Sequence, residues 1–177
     1  MTSRRSLLLA LLALPCATQA RPRPTEVGTE LPGARLQGEG LLRFLGMQIY
    51  RARLWVLDGF KPDDPAPHAV ALELEYARSL EGKLIAERSL VEMKKVGTVP
   101  ENKSAAWLSA MEQAFPDVKA GDRITGVYRP DEGMRFFVNG KAGREIRDAE
   151  FARLFIGIWL SPRSSEPSLR RALLGTA

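Results

Sequence analysis

GDRITGVYRPDEGMRFFVNGKAGREI, residues 121–146, is the stretch that decides the fold. It predicts three short strands folded back on one another. Asp122 to Arg129 is the first, rich in β-branched and aromatic residues. Pro130 to Gly133 (PDEG) is a turn with proline early and glycine late. Met134 to Val138 is the second strand. Asn139-Gly140 then supplies the dipeptide favoured by a two-residue type I′ hairpin, in which both central residues need positive φ. A third strand reaches Ile146. Strands joined by such short turns pair antiparallel.

Downstream the period changes from two to nearly four. Asp148 is placed to cap a helix through Leu160, with Phe151, Leu154, Phe155 and Ile158 on its buried side. Ser161-Pro162 ends it, and a last short helix, Ser168 to Leu174, precedes Gly175. Upstream lie two more helices. Glu101 to Phe115 carries the stripe Trp107, Leu108, Met111 and Phe115 before Pro116. Leu80 to Lys95 is predicted to be capped by Ser79, to bury Leu84, Ile85 and Val91, and to stop at Gly97; Lys94 and Lys95 complement the dipole of its C-terminal end.

Further upstream the pattern returns to strands. Val70, Leu72, Leu74 and Tyr76 alternate with Ala71, Glu73 and Glu75, which predicts one buried and one wet side. Asp58 to His68 is a proline-rich loop. In the run Met47 to Leu57, Tyr50, Ala52, Leu54 and Val56 point to the core, opposite Ile49, Arg51, Arg53 and Trp55. Leu36 to Phe44 is another strand; Gly38 and Gly40 within it mark a bulge or the close approach of another backbone. Residues 21–35 read as an extended lead-in to a single domain over 36–177. Strands, two helices, three strands, two helices is not a βαβ alternation. The expected class is α+β, an antiparallel sheet covered by helices on one face.

The N-terminus sets the expected compartment. Arg4 and Arg5 precede the uncharged apolar run Leu7 to Leu14, and Thr18 with Ala20 provides small residues for cleavage. Residues 1–20 therefore read as a signal peptide and the chain as an exported, periplasmic protein. Pro15 stands where a lipoprotein signal carries a small residue, which argues against lipidation of Cys16. Cleavage after Ala20 leaves 157 residues without cysteine and a net charge of +3 from 24 basic and 21 acidic residues. That length suits one domain, burying about 70% of its unfolded surface. Disulfides and a thiol nucleophile are then excluded. The interspersed charges give no nucleic-acid arm, and no later run is long enough to span a membrane.

Site motifs for the common chemistries are absent. The one histidine, His68, lies in the proline loop, too little for a metal cluster or a Ser-His-Asp triad. Gly38 and Gly40 do not open a helix and so form no phosphate loop. No cofactor or metal is expected. Asp63-Asp64 reads as a solvated turn. The informative groups stand at the ends of apolar rows. Extending the phase of Val70 to Tyr76 places Arg78 beside Tyr76, where the two would hold a carboxylate or enolate oxygen at the mouth of an apolar pocket. The alternative is that Arg78 has left the strand and snorkels. Arg43, Arg51 and Arg53 form a second set, with Trp55 as a cation–π partner or as part of a solvated face. Tyr128 is a third aromatic with a polar tip, buried or exposed. Trp107 and Trp159 are core residues on their helix stripes.

Four stretches resemble the chalcone isomerase-like family of exported bacterial proteins: LQGEGLLRFLGMQIYRARLWV (36–56), LELEYARSLEGKLIAE (72–87), GDRITGVYRPDEGMRFFVNGK (121–141) and FARLFIGIWLSPRSSEPSLRRALLG (151–175). The resemblance implies an open-faced β-sandwich, a large antiparallel sheet with a helical layer against it. It also implies one of two uses for an oxyanion beside an apolar cleft. Plant members cyclise chalcones; non-catalytic members bind fatty acids through an arginine and a tyrosine. The plant enzymes carry an arginine shortly after a Gly-x-Gly. Here Gly38-Glu39-Gly40 matches, but Leu42 aligns with that arginine and Arg43 comes one later. A shift of one residue flips a side chain to the other face unless a bulge restores the phase. The expectation is thus a non-catalytic binder of a small apolar carboxylate such as a fatty acid, with Tyr76, Arg78 and Tyr128 as ligand-binding candidates. The alternatives are an isomerase (an intramolecular lyase) using Arg43, and an envelope protein-interaction module.

Overall fold

A computed structural model describes residues 22–176. Its elements are α1 (Thr25–Glu30), β1 (Arg35–Phe44), β2 (Met47–Val56), β3 (Val70–Tyr76), α2 (Gly82–Val96), α3 (Glu101–Ala114), β4 (Arg123–Arg129), β5 (Gly133–Val138), β6 (Lys141–Ile146), α4 (Ala149–Leu160) and α5 (Pro167–Leu174). The six strands form one sheet in sequence order, every pair antiparallel. The fold is the expected α+β class. The Asn139-Gly140 turn has φ of 50° and 81°, as a type I′ hairpin requires. None of the described helices is long and apolar enough to cross a membrane.

Helices α2 to α5 lie on one side, the helical face. There Ala52, Leu54, Leu72, Leu74, Ile124, Met134 and Phe136 meet Met93, Met111, Phe151, Leu154 and Phe155 in the main core. Asp148 caps α4 as expected, Oδ1 accepting from the amides of Glu150 and Phe151 at 3.0 Å each. Both readings of the β1 glycines are met. The β1–β2 register slips between Leu36 and Gly38, leaving Gln37 as the extra residue. The end of α5 lies so close that a Cβ on Gly38 would collide with the carbonyl oxygens of Ala172 and Leu173. Gln37 Nε2 adds a hydrogen bond to the Leu174 carbonyl at 2.9 Å.

The outer face corrects two expectations. Residues 25–30 are helical where an extended lead-in is expected, and α1 lays Val27 on the sheet; with Leu31 and Ala34 it covers Trp55, Ala71, Val127 and Phe137. A six-residue helix offers too few turns for its periodicity to register in a sequence. The supposed wet side of β3 is consequently not wet: Ala71 and Glu73 are buried and Glu75 is half-buried. Arg51 and Arg53 belong to this face too. Arg53 is buried and bonds Glu39, Glu73 and Glu75 at 3.0–3.1 Å. Trp55 donates its Nε1 to Glu73 at 3.0 Å and is buried, so this face is neither the solvated one nor a cation–π surface.

Helix α2 differs in start and in phase. It begins at Gly82 with Glu81 before it; Ser79 does not cap it, and Asp117 Oδ1 accepts from the Gly82 amide at 2.8 Å. Its buried residues include Gly82, Ala86, Ser89, Leu90 and Met93, while Leu84 and Val91 are about half exposed. The small residues decide the phase, since a Cβ at Gly82 would collide with the Phe115 carbonyl. That rotation leaves Leu84 and Ile85 to face a cavity.

Candidate functional site

The cavity has a volume of about 290 Å³ and lies between the helical face of the sheet and helices α2 and α4. Gly126 on β4 belongs to its floor, and the side chains of Met134 and Phe136 close over the position where a Cβ would stand. The inner wall is fully buried and apolar: Leu72, Met134, Phe136 and Phe155. At the other end the lining includes Arg43, Phe44 and Leu84, all exposed, so the cavity opens beside the β1–β2 hairpin. Its volume stands at the lower end of the ligand-pocket range of roughly 300–1,000 Å³.

Polar groups on this wall are few. Tyr50 and Tyr76 are cross-strand partners on β2 and β3, their rings edge to face at 5.9 Å. Trp159 donates its Nε1 to the Tyr50 hydroxyl oxygen at 3.0 Å, which leaves the phenolic proton of Tyr50 available. The Tyr76 hydroxyl has no hydrogen-bond partner among the described residues. Burial pushes both phenols well above their ordinary value, so both remain neutral donors. At the rim, Arg88 pairs with Glu92 at 2.6 Å, and Glu92 also accepts from Lys95 at 2.9 Å and from Ser165 at 2.6 Å. Burial works to raise the Glu92 carboxyl, but these hydrogen bonds and the Arg88 and Lys95 charges hold it below its ordinary value.

Arg43 owes its place to an irregularity. Leu42 pairs with Tyr50 and Arg43 with Gln48, so Ile49 is an extra residue on β2. Around this bulge the consecutive residues Leu42, Arg43 and Phe44, and Ile49 with Tyr50, all reach the lining, which strict alternation would forbid. Arg43 has no carboxylate partner among the described residues.

The other sequence candidates divide. Tyr76 is on the wall. Arg78 is not: β3 ends at Tyr76, and past the strand end the guanidinium turns to Met47, Nη1 to Sδ at 3.0 Å. Phase cannot be carried beyond the last paired residue. Tyr128 is buried on the helical face but away from the cavity, its hydroxyl donating to the Ala66 carbonyl at 2.8 Å. His68 sits edge to face against Phe60 in the loop. Trp107 is core, with its Nε1 on Asp148 at 3.1 Å. Trp159 combines packing with its bond to Tyr50. Sequence reading singled out neither Tyr50 nor Arg88. Tyr50 stood in the core-directed row of β2, so a polar tip at the end of an apolar row, the signal used for Tyr76, applied to it equally.

Comparison with known proteins agrees with this architecture. The chalcone isomerase-like family matches residues 26–175, from the second residue of α1 onward. An uncharacterised protein of Haemophilus influenzae is 30% identical over 127 residues, 72% of this chain and 61% of that protein, so the chain spans less than two thirds of this relative. The crystal structure of the Arabidopsis thaliana fatty-acid binding protein AtFAP1 superposes with a TM-score of 0.64 at 12% identity, covering 81% of this chain and 87% of the other. At that identity the likeness is one of fold.

Proposed function

We propose that this chain, which belongs to the chalcone isomerase-like family, is a non-catalytic binder of a small apolar carboxylate such as a fatty acid. The observation that carries the reading is the cavity wall. Its inner part is apolar apart from two neutral phenols, and Arg43 at its mouth has no carboxylate partner among the described residues. An aliphatic chain gains from burial against Leu72, Met134 and Phe136, at roughly 25 cal/mol per Å². A carboxylate at the other end accepts from Tyr50, Tyr76 and Arg43 in charge-assisted hydrogen bonds. Arg88 is a weaker candidate because Glu92 already neutralises it. The fatty-acid binding of the Arabidopsis structure supports the ligand class by likeness of fold. Export to the periplasm with removal of residues 1–20 belongs to the same proposal, and the N-terminal mass of the isolated protein checks it.

Native mass spectrometry of the isolated protein, with extraction and identification of anything bound, is the direct test. A co-purifying fatty acid whose affinity falls about tenfold in Tyr76→Phe, the scale of one hydrogen bond to a charged group, and further with Arg43→Gln, supports the reading. An empty protein that also fails to take up added saturated fatty acids overturns it. The bulge favours one second reading, an isomerase in which Arg43 stabilises an enolate. Against it, Arg43 stands at the exposed mouth, and phenols pushed so high are poor bases at neutral pH. Accelerated cyclisation of a chalcone, lost in Arg43→Gln, would replace the binder by the enzyme.

A further inference from the structure

The β1–β2 hairpin ends in a two-residue turn, Leu45-Gly46, between the paired residues Phe44 and Met47. Its φ values, 49° and 77°, nearly repeat those of Asn139-Gly140. The left-handed conformation suits asparagine and glycine and costs a leucine. The turn nevertheless holds Leu45 out to solvent at 82% exposure, flanked by Phe44 at 58% and Met47 at 46%. A large apolar side chain kept in an unfavourable backbone state, where it buries little against the described residues, departs from local rules in the way functional sites do. Leu84 on α2, also exposed, shares the cavity mouth with Phe44.

The charges beside this tip are complementary to an anionic surface. Arg43 precedes Phe44, and Arg78 reaches Met47 Sδ; neither has an ion pair among the described residues. The nearby carboxylates of α2 are engaged, Glu87 with Lys83 and Glu92 with Arg88 and Lys95; Glu166 is the one on the lining without an ion pair among the described residues. The apolar element is a convex finger two residues wide. A protein partner needs an area of about 1,000 Å² with matching shape, whereas apolar tips beside free cations suit the headgroup and acyl boundary of a bilayer. We propose that the tip Phe44–Met47 docks the chain on a bilayer surface carrying anionic lipid, with the cavity mouth turned toward the lipid. The inference goes beyond the ligand reading. Vesicle binding is read without added ligand, so either proposal survives failure of the other.

Co-sedimentation with vesicles tests it, using phosphatidylglycerol and phosphatidylcholine in equal parts, and phosphatidylcholine alone. All variants carry the same N-terminus. The wild type is expected to prefer the anionic vesicles, and Arg78→Gln to reduce that preference. Leu45→Asn is expected to lower vesicle affinity about tenfold, the ratio for one leucine side chain losing its burial, while its thermal midpoint stays or rises because asparagine suits the turn. Equal vesicle binding by wild type and Leu45→Asn would overturn the proposal. So would a wild type that ignores anionic vesicles, or one that forms a dimer without lipid and loses it in Leu45→Asn, since the tip would then be a contact between copies.

Discussion

On β3, Glu73 and Leu74 are neighbours in the chain and stand on opposite faces of the sheet, both nearly inaccessible to solvent. Leu74 faces Ala52 and Ile124 across the strands and borders the cavity. Glu73 stands between Arg53 and Thr125 in a row that begins with Glu39; the next row runs Leu41, Arg51, Glu75 and Arg123. The outer face is thus charged and largely paired, with Arg123 Nε left without a hydrogen-bond partner among the described residues, and Glu26 of α1 accepts from Arg123 at 2.9 Å and Thr125 at 2.8 Å. Both faces leave space: the cavity of the helical face has an apolar inner wall, whereas a hollow of about 390 Å³ beside α1 on the outer face is lined by Arg53, Trp55, Glu73, Glu75 and Arg123. A void lined by hydrocarbon forgoes dispersion contacts, whereas buried charges demand specific partners. The hydrocarbon-lined cavity therefore constrains its neighbours less than the charged hollow of the outer face does.

Truncating each neighbour sharpens the contrast. Glu73→Ala removes the acceptor of Trp55 and one partner of Arg53, which keeps Glu39 and Glu75. A loss of about 3 kcal/mol is expected, at the lower end for a broken buried pair. Leu74→Ala deletes a side chain that already borders space, so about 2 kcal/mol is expected, the low end for leucine. Urea unfolding of both variants gives the comparison directly. A Leu74→Ala loss larger than that of Glu73→Ala would break it, by showing that the cavity wall is the better-packed side.

Two tyrosines of the helical face give a smaller contrast. The Tyr128 hydroxyl is committed to Ala66, and Tyr128→Phe should cost about 1 kcal/mol. The Tyr76 hydroxyl has no partner among the described residues, so Tyr76→Phe should leave stability within about 0.5 kcal/mol of wild type. Thermal unfolding of the free protein checks both. Equal losses would mean that the Tyr76 hydroxyl serves the fold.

The same contrast explains what could be read from the chain. Strands β3 to β6 and helix α4 were legible because period-two rows, Asn139-Gly140 and the Asp148 cap are local signals that tertiary packing did not oppose. Tyr76 was legible for the same reason. Helix α1 was not, because six residues around Gly28 carry too little pattern, and without α1 the charged side of β3 reads as solvent-facing. The phase of α2 was set by Gly82 against the Phe115 carbonyl, a contact between segments distant in sequence. Arg43 and Arg78 part in opposite directions. A bulge at Ile49 brings Arg43 to the cavity, and the end of β3 takes Arg78 away; both are breaks in register that alternation cannot foresee.

Asp148 gives the smallest effect and the finest test of what burial contributes, because it repeats the chemistry of Glu73 in a wetter place. It accepts from two backbone amides, from Trp107 and from Lys103 at 3.0 Å, with its side chain 25% exposed against 5% for Glu73. Partial burial works to raise its carboxyl, but the Phe151 amide, Lys103 and Trp107 outweigh that and hold it below the ordinary 3.8. A carboxyl depressed in the folded state stabilises fully above its unfolded value and loses that contribution as pH falls through the folded value. Asp148→Asn keeps a good capping side chain and gives up the charge, so a loss of about 1 kcal/mol or less is expected at pH 7. As pH falls from 3.8 through the lower folded-state value, wild type and variant should converge, because the wild-type carboxyl is then protonated in the folded protein as well. Urea unfolding across that window reads the difference. A gap that stays constant in acid would mean that geometry alone carries the Asp148 contacts, in contrast to the Arg53–Glu73 row of the outer face, where charge rather than shape secures the sheet.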